Sequence, residues 1–506
     1  MLLAAIQRHA AERPDAIAIC HPPPFDGFGR VTWRHLAEGV RAIHDLIIVE
    51  FGSANGAPIG WFQHNCADGL VTLMACAEAG RPHVPLNWRL AEEELRFIEE
   101  DAGLVAVMTD EESDWDEYPV PWNPHAVMHP YLAAVSDGLT KAEIGYSGAA
   151  KLRSSHGGIH TPPASRPPQT PLLISYTSGT TGRPRGAVLT QGAVMANIAH
   201  AQALFAFTQK DRVLTVLPLF HLGGMCIQTL PALVAGAQII LHAKFEPEAF
   251  FDSLERDKPT LTLLVPAVMA ALVAHPRWAE ANFSCLRAVG AGSSDVPLAL
   301  IKAFHAKGVP VQQVYGMTEA GPIAIAQSVA EAWAHPGSIG FPVGDCAARI
   351  AADGEIQLRG PNLFSGYWRD EEATRAAFTE DGWFRTGDAG HVDQQGRFWF
   401  TDRIKHLIIS GGENISPAEV ERVLATAPGV KEGAVIGRPD ARWGEVPVAI
   451  VVPGQGYDEA AILRHFEGHL ARFKHPRAFV TVQALPRTAL GKVQVEKLRE
   501  LLASAS

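Results

Sequence analysis

The chain has 506 residues, of which 47% are hydrophobic and 19% are charged, and its formal net charge is −11. A chain of this length exceeds what one hydrophobic core supports, so we expect two or more folded domains. The acidic balance argues against general binding to nucleic acid or to anionic membranes, because both favour a basic protein surface.

The cysteines and the apolar segments indicate the compartment. The six cysteines are widely spaced without a CxxC pair, which is typical of a reduced protein rather than of a disulfide framework or a zinc site. Charged residues follow the N-terminus too soon for a secretory signal. The sequence contains no run of about eighteen apolar residues, so we expect no membrane-spanning helix. We therefore expect a cytoplasmic protein.

Short apolar runs alternate with helix-like segments along the first two thirds of the chain, weakly within residues 13–110 and clearly within 172–320. Because the runs are continuous rather than alternating, their strands should be buried on both faces. This predicts an α/β fold of doubly wound, mostly parallel sheets. Thr190 should cap one of the intervening helices. Residues 136–170, rich in Ser, Gly and Pro, are expected to form a loosely ordered connector.

After about residue 338 the pattern changes. Turns at Asp353-Gly354 and Gln395-Gly396 predict a small antiparallel β region. Farther on, SPAE at 416–419 predicts a capping box that opens a helix. We expect an N-terminal domain over residues 1–401 and a small α+β C-terminal domain over residues 402–506.

Three polar loops follow predicted strands of the parallel sheet: TSGTTGRPRG (177–186), GAGSSD (290–295) and YGMTE (315–319). Ligands bind beyond the carboxyl ends of parallel strands, so the loops should converge on one edge and form a nucleotide-sized site. Glycines let backbone N–H groups approach phosphate oxygens, and Arg183 and Arg185 add positive charge. The first loop lacks the ATPase P-loop pattern. A mobile surface loop of small residues remains the alternative, chiefly for GAGSSD.

The ordered motifs resemble the adenylate-forming (AMP-binding) enzyme superfamily of acyl- and aryl-CoA synthetases, peptide-synthetase adenylation domains and luciferases. The similarity covers roughly residues 10–500. It rests on VTWRHL (31–36), VPLNWRL (84–90), YTSGTTGRPRG (176–186), PLFHLGG (218–224), YGMTEAG (315–321), GWFRTGD (382–388), TDRIKHLIISGGENISPAEVE (401–421) and LPRTALGKV (485–493).

The resemblance implies how ATP would be bound. The phosphates would be surrounded by Thr177, Ser178, Gly179, Thr180, Thr181, Gly182 and Arg185. The remaining nucleotide contacts would come from Gly290, Ala291, Gly292, Tyr315 and Gly316 near adenine, Thr318 at the α-phosphate, and Asp388 with Arg403 at the ribose. Glu319 and Thr177 would hold Mg²⁺, which prefers oxygen ligands. Taken singly, Tyr315 could instead be a core residue, and Glu319, Asp388 and Arg403 solvated surface residues.

Two positions depart from the family pattern. Arg185 stands where lysine is usual, which replaces a flexible point charge with a planar guanidinium. His406 stands where an acid is usual after Arg403 and Lys405.

The implied reaction has two steps: a carboxylate attacks the α-phosphate of MgATP to give an acyl-adenylate, and a thiol then displaces AMP. The first step joins two anions, so charge neutralisation should dominate its catalysis. Lys492 corresponds to the family's catalytic lysine, carried by a mobile C-terminal domain that would rotate about a hinge at Asp402.

Little sequence follows Lys492, which favours CoA over a fused carrier protein as the thiol. The ARFKHPR segment (471–477) combines an aromatic side chain with cations suited to CoA phosphates. The expected CoA contacts are Arg89, Gly411, Gly412, Trp443, Phe473, Lys474, His475 and Arg477. A solvated basic helix end is the alternative for this segment.

The resemblance also places the acyl group, against His221, Leu222, Gly223, Val265, Pro266, Met269, Ala291 and Met317. These residues are apolar apart from His221, which could also be a core histidine. No cation near Val265 awaits a second carboxylate, and an unpaired buried carboxylate is costly. We therefore expect an apolar monocarboxylate that is aromatic, alicyclic or medium-chain aliphatic.

The sequence thus predicts an ATP- and Mg²⁺-dependent carboxylic acid–CoA ligase, with no nucleic-acid partner and with a homodimer left open. Two alternatives remain at this point. One is a stand-alone adenylation enzyme that loads a separate carrier protein or forms an amide. The other is a nucleotide-binding protein without catalysis.

Overall fold

The computed structural model describes residues 2–22, 29–52, 56–108, 166–177, 184–410, 413–440, 443–467, 469–470, 472–487 and 493–504. The chain divides into two compact units, the first of residues 1–336, 340–347 and 358–384 and the second of residues 337–339, 348–357 and 385–506. The boundary expected at residue 402 stays a prediction. Most of the expected connector, residues 136–165, lies outside the described residues. No described helix has the length and hydropathy that crossing a membrane requires.

A nine-stranded sheet forms one layer of the first unit, with the order β14-β13-β12-β11-β10-β8-β9-β1-β2. Its strands are β1 Ile17–Cys20, β2 Arg30–Thr32, β8 Arg212–Thr215, β9 Gln238–Leu241, β10 Leu261–Leu264, β11 Ala288–Gly292, β12 Val311–Tyr315, β13 Ile325–Ala326 and β14 Phe341–Pro342. The strands from β1 through β9, β8, β10 and β11 to β12 are parallel. Every residue of β10 and β12 is buried, which confirms the prediction of strands covered on both faces.

A six-stranded sheet forms the other layer, with the order β17-β7-β6-β4-β3-β5. Its strands are β3 Ile59–Phe62, β4 His83–Leu86, β5 Ala106–Met108, β6 Pro171–Thr177, β7 Arg185–Thr190 and β17 Gly366–Tyr367. The strands β5, β3, β4 and β6 are parallel, whereas β7 returns antiparallel to β6 and pairs with β17.

Helices connect these strands. They are α1 Leu2–Glu12, α2 Trp33–Phe51, α3 Ala67–Ala79, α4 Glu92–Ala102, α5 Gln191–Phe205, α6 Leu230–Ala235, α7 Pro247–Arg256, α8 Pro266–Val273, α9 Leu298–Ala306, α10 Val329–Ala334 and α11 Glu371–Ala376. The predicted cap of α5 is confirmed, because Thr190 Oγ1 accepts a hydrogen bond from Ala193 N at 3.1 Å. A π-helical segment, Gly223–Thr229, leads into α6, and 3₁₀ turns span Pro276–Trp278 and Thr318–Ala320.

The second unit carries a four-stranded sheet of the order β15-β16-β18-β19. Its strands are β15 Ala347–Ile350, β16 Glu355–Arg359, β18 Phe384–Val392 and β19 Phe398–Arg403. The turns predicted from Asp353-Gly354 and Gln395-Gly396 are present: Gly354 and Gly396 have φ of 84° and 86°, a left-handed conformation that glycine adopts without a steric penalty.

The rest of the second unit is a five-stranded sheet covered by helices. Its elements are β20 Ile408–Ser410, β21 Glu413–Ile415, β22 Val430–Asp440, β23 Gly444–Pro453, β24 Ala478–Thr481, α12 Pro417–Leu424, α13 Glu459–Glu467 and α14 Val495–Ser504, with 3₁₀ turns at Ile404–His406 and Arg472–Lys474. Successive residues of β22 face opposite cores, Val435 toward α12 and α13 and Ile436 toward α14. Both faces of the sheet are therefore buried.

Candidate active site

The first polar loop connects the ends of the hairpin β6–β7. Thr177 ends β6, Arg185 begins β7, and the two residues pair in register. The Thr177 hydroxyl donates to the Arg185 carbonyl at 3.5 Å. The other phosphate-binding candidates of this loop, 178–182 together with Arg183, lie outside the described part of the chain.

The other two loops follow neighbouring parallel strands, because GAGSSD overlaps the end of β11 and YGMTE overlaps the end of β12. Both need glycine for close backbone approach. A Cβ atom on Gly292 would lie 2.2 Å from Val314 O, and one on Gly316 would lie 2.2 Å from Pro322 O. Ala291 and Tyr315, the residues that precede these two glycines, are buried.

The expectation that all three loops line one edge of a single sheet is wrong. The loops after β11 and β12 belong to the nine-stranded sheet, whereas the first loop belongs to the six-stranded sheet. The physical reason is that β6 pairs with β4, a strand from far earlier in the chain, and with the following strand β7, and neither belongs to the nine-stranded sheet. A tyrosine to which the motifs assigned no role contacts both polar segments.

That residue is Tyr367 on β17. Its backbone pairs with Ala187 on β7, and its hydroxyl donates to Glu319 Oε1 at 3.0 Å. The backbone N–H of Phe364 donates to the Glu319 carbonyl at 2.8 Å. Burial and the neighbouring Glu319 carboxylate raise the pKa of Tyr367. The phenol is therefore a proton donor that holds one oxygen of Glu319 in place.

Arg185 contacts the ring of the same tyrosine. Its guanidinium is 5.7 Å from the centre of the Tyr367 ring, and its Nε is 3.4 Å from Asp370 Oδ2. Cation–π contact and the ion pair together orient the planar guanidinium. Tyr367 thus contacts a carboxylate through its hydroxyl and a guanidinium through its ring.

The oxygens of Glu319 and Thr177 have the chemistry that Mg²⁺ prefers, and one carboxylate with a hydroxyl suits an ion whose remaining ligands are phosphates and water. In the described part of the chain, no cluster of three or more His, Cys, Asp or Glu side chains could hold a metal ion by itself. One carboxylate and one hydroxyl are donors of the kind that a nucleotide-bound Mg²⁺ takes from a protein.

The acyl-binding candidates occupy the strand ends as follows. Val265 and Pro266 open α8, and Met269 on that helix is fully buried. His221 is half-buried, with its ring 4.5 Å from that of Phe220, and it directly precedes the buried Leu222. Met317 and Thr318, on the loop after β12, are half-buried. Gln228 on the π-helical segment was not predicted; no sequence motif marks it.

In the second unit, Asp388 and Arg403 pair across the β18–β19 ladder. Arg403 Nε lies 2.8 Å from Asp388 Oδ1, and Arg403 Nη1 donates to the Thr386 carbonyl at 3.5 Å. Asp388 is 3% exposed, so it is not a solvated surface residue, whereas Arg403 is exposed.

Asp402, the predicted hinge, holds the start of α12. Its Oδ2 accepts from the Ser416 hydroxyl and from the Ala418 N–H, both at 2.9 Å. Ser416 Oγ in turn accepts from Glu419 N, which is one half of the predicted capping box; among the described hydrogen bonds, the reciprocal bond from Ser416 N to the Glu419 carboxylate is not found. The Glu419 carboxylate is engaged by Lys474, at 2.7 Å.

The CoA-binding candidates differ in accessibility. Phe473 and Trp443 are each 40% exposed, and Arg477 is also exposed. Lys474 is bound to Glu419, and His475 is buried with Nε2 at 2.9 Å from the Leu470 carbonyl. In the first unit, the Arg89 guanidinium lies 4.7 Å from the Trp88 ring centre. The predicted residues Gly411, Gly412 and Lys492 lie outside the residues that the structure describes.

Comparison with known proteins agrees over nearly the whole chain. Residues 6–368 match the family model described as AMP-binding enzyme, and residues 419–492 match the AMP-binding enzyme C-terminal domain. Indoleacetate–CoA ligase of Aromatoleum aromaticum is 42% identical over 98% of this chain and 97% of its own length. Feruloyl-CoA synthase of Amycolatopsis sp. is 35% identical over 97% of each chain.

Among solved structures, o-succinylbenzoate CoA synthetase from Bacillus subtilis in complex with the acyl-adenylate intermediate OSB-AMP has a TM-score of 0.82 and 28% identity, and covers 98% of this chain and 97% of that one. The same synthetase in complex with ATP and magnesium ion also has a TM-score of 0.82 and 28% identity, covering 98% and 99%. The mixed α/β architecture that this chain shares with the synthetase confirms the predicted fold class.

Proposed function

Because this chain belongs to the AMP-binding enzyme family, we propose that it joins an apolar, aromatic monocarboxylic acid to CoA by way of an acyl-adenylate. It is an ATP-dependent acid–thiol ligase, and the relatives that match its full length are acid–CoA ligases. The finer assignments below concern the acid, the residues and the compartment.

The observation that carries the proposal is that Tyr367 contacts Glu319 through its hydroxyl and Arg185 through its ring. In the first step a carboxylate oxygen of the acid bonds to the α-phosphorus of ATP, and the bond to pyrophosphate breaks. Both reactants are anionic, so preorganised positive charge should lower the barrier most. Arg185 supplies such charge at the base of the phosphate loop, and Lys492 would add to it.

Glu319 and Thr177 are the residues proposed to hold Mg²⁺. When bound, the ion would neutralise negative charge on the phosphates. Tyr367 keeps the Glu319 carboxylate oriented, because its hydroxyl donates a hydrogen bond to Oε1 and, with a raised pKa, retains its proton. Thr318, one residue earlier, would donate to the α-phosphate.

Other residues are proposed to recognise the rest of the nucleotide. The glycines of β11 and the ring of Tyr315 would accommodate adenine at the carboxyl ends of their parallel strands. The buried carboxylate of Asp388, paired with Arg403, offers an acceptor for ribose hydroxyls.

In the second step the CoA sulfur attacks the acyl carbonyl carbon, the thiol loses its proton, and AMP leaves. The exposed Phe473, Trp443 and Arg477 are the described side chains most accessible for CoA. Lys474 and His475 are held by partners within the second unit, so we assign them a supporting role.

The acid is proposed to be aromatic. Leu222 and Met269 are buried apolar side chains, and Val265 and Met317 are half-buried. A second carboxylate among them would pay a desolvation cost without a counter-ion. Two of the relatives are named for aromatic acids of this class, indoleacetate and the acid of feruloyl-CoA.

We also propose a reducing, cytoplasmic location. All six cysteines are free thiols, and burial raises the pKa of Cys76, Cys226 and Cys346 to about 12. Such thiols are inert at neutral pH, as expected of structural cysteines in a reducing compartment.

The test is a pyrophosphate-release screen across indoleacetate, ferulate, benzoate, cyclohexanecarboxylate, octanoate, acetate and malonate, with and without CoA. We expect CoA-dependent thioester formation with aromatic acids and at least about tenfold lower kcat/KM for acetate and malonate. Turnover only with a carrier protein would favour the stand-alone adenylation enzyme. No pyrophosphate release with any acid would mean that the chain only binds nucleotide.

A further inference from the structure

Gln228 is a buried amide with unused hydrogen-bonding capacity. It lies on the π-helical segment Gly223–Thr229 and is 1% exposed. Neither its Nε2 nor its Oε1 has a hydrogen-bond partner among the described residues. Buried amides are nearly always paired, because an unpaired one loses its bonds to water without replacement. A π-helical turn inside a helix is often found at functional sites.

Two polar side chains beside this segment have hydrogen-bond partners, unlike Gln228. The hydroxyl of Thr229 donates to the Gly224 carbonyl at 2.7 Å and lies 2.8 Å from Thr215 Oγ1. The Asn197 amide donates to the Cys226 carbonyl at 2.7 Å and accepts from Ile323 N at 3.2 Å. The fold thus satisfies Thr229 and Asn197 while leaving both polar atoms of Gln228 open. On β12, opposite Gly290, Gln312 has one unpartnered atom, Oε1, among the described residues.

The amide reaches the strand that borders the proposed substrate site. A Cβ atom on Gly290 would lie 3.2 Å from Gln228 Nε2, so the amide contacts β11 at the residue before Ala291. Leu263 and Phe205 surround the same point, where their closest atoms would lie 2.9 and 3.4 Å from that Cβ. Gln228 lies seven positions after His221, an acyl-binding candidate. The π-helical segment that carries Gln228 begins at Gly223, two residues after His221.

We propose that Gln228 reads a polar ring atom of the acid, at the end of the acyl group remote from its carboxylate. The inference rests on the proposed ligase function and narrows its substrate class to heteroaromatic or hydroxylated aromatic monocarboxylates. An N–H or O–H on the ring would donate to Oε1, and a ring oxygen would accept from Nε2. The other acyl-binding candidates are apolar apart from His221, and this amide sets the orientation of the ring.

A polar pocket group discriminates strongly. A site that hydrogen-bonds its substrate rejects the analogue lacking that group, because the pocket's own polar atoms are then left unpaired. We expect the wild-type enzyme to prefer indole-3-acetate over 1-naphthaleneacetate, and 4-hydroxycinnamate over cinnamate, by about 100-fold or more in kcat/KM.

The deciding variant is Gln228→Leu, which keeps the size of the side chain and removes both polar atoms. It should lower kcat/KM for the polar acids by about 100-fold and leave the apolar acids unchanged or improved. Its Tm should be unchanged or higher, because an unpaired amide is removed from the interior. Comparing the indole-3-acetate pair with the 4-hydroxycinnamate pair shows whether Gln228 recognises a ring N–H or a hydroxyl.

The matched control is Gln191→Leu. Gln191 is also buried, but its Nε2 donates to the Ala77 carbonyl at 2.7 Å, so its loss should lower Tm without changing the acid preference. Equal losses on polar and apolar acids in Gln228→Leu, with a lowered Tm, would overturn the proposal and mark Gln228 as a structural group or one satisfied by a buried water.

Binding separates this inference from the ligase assignment. The Tm shift caused by each acid is measured with AMP and without turnover. A larger shift with the polar acid, lost in Gln228→Leu, supports the role of Gln228 even if no thioester forms, in which case only the ligase assignment fails. Thioester formation with equal preference for both members of each pair would leave the ligase intact and refute the inference.

Discussion

At the scale of single residues, Glu319 shows how a carboxylate is held in one orientation. One oxygen accepts the Tyr367 hydroxyl at 3.0 Å, and the backbone carbonyl of Glu319 accepts from Phe364 N. Partners that orient a metal-binding carboxylate affect affinity almost as strongly as the ligand itself. Tyr367 is thus a positioning residue for the proposed Mg²⁺ site.

Replacing this hydroxyl gives the first prediction. Tyr367→Phe should weaken Mg²⁺ binding in the nucleotide complex by about 10-fold, because Glu319 loses its orienting donor. The measurement is Mn²⁺ binding by electron paramagnetic resonance with a non-hydrolysable ATP analogue, alongside the Mg²⁺ dependence of pyrophosphate release.

Tyr457→Phe is the matched control. Tyr457 also donates to a glutamate, Glu459, but this hydrogen bond is exposed and lies in the second unit. Unchanged metal affinity in Tyr367→Phe, with the same kinetics as Tyr457→Phe, would show that the phenol does not orient the site.

At the scale of elements, α12 depends on a carboxylate outside it. Asp402 accepts from the Ser416 hydroxyl and the Ala418 N–H, and Ser416 caps the helix through Glu419 N. The first N–H groups of a helix have no partner within it, so such side chains stabilise the start of the helix. A predicted hinge residue therefore also anchors the first helix that follows it.

The second prediction concerns this anchor. Asp402→Ala should destabilise the second unit by about 1–3 kcal/mol, because two buried hydrogen bonds are lost. Hydrogen exchange of the amides of 418–424 should accelerate, while the amides of β10 to β12 in the first unit should not change. Asp402→Asn, which retains an acceptor oxygen, should have a smaller effect. Unaltered exchange in α12 would argue that the carboxylate contributes nothing to its stability.

At the scale of the whole molecule, buried histidines link stability to pH. Burial lowers the pKa of His83 to about 3 and those of His21 and His242 to about 4, from 6.5. The unfolded chain therefore binds more protons than the folded chain between these values and pH 6.5. The stability is fully present above pH 6.5 and is lost as the pH falls toward 4.

The third prediction follows from that linkage. At pH 5 each of the three histidines should cost about 2 kcal/mol of folding free energy relative to pH 8. His83→Leu should flatten the pH dependence of the urea midpoint, because one of several histidines with a lowered pKa is removed. Neither ring nitrogen of His83 has a partner among the described residues, so the variant sacrifices no hydrogen bond. An unchanged slope in His83→Leu would contradict this assignment.

The fourth prediction addresses the two half-reactions. Lys492→Ala should slow adenylation by about 10²–10³-fold, as expected for loss of one stabilising charge in the transition state. Thioester formation from a supplied acyl-adenylate should remain within a few-fold of wild type. Lys497→Ala, which removes an exposed lysine on α14, is the control. Equal loss in both half-reactions would show that Lys492 is not specific to adenylation.

The amino-acid sequence by itself determined the features that depend on neighbouring residues. The buried parallel strands, the Thr190 cap and the glycine turns of the hairpins follow from local pattern and backbone preference. The ordered motifs identified the enzyme family, and they placed Glu319 and Arg185 among its candidates. Strand ends were less certain. The strand β8 ends at Thr215, although apolar residues continue through Leu217, whose carbonyl accepts a hydrogen bond from the Asn65 side chain.

Only the tertiary structure decided which distant side chains meet. Tyr367 reaches Glu319 across 48 positions because β17 pairs with β7, and Lys474 binds Glu419 across 55 positions. The unpaired amide of Gln228 is evident only in the folded chain, where Gly290 packs against it while Asn197 and Thr229 have hydrogen-bond partners. Sequence patterns encode the local choice of helix, strand and turn. Such contacts instead depend on strand pairing and on the burial that pairing imposes, which no local pattern contains.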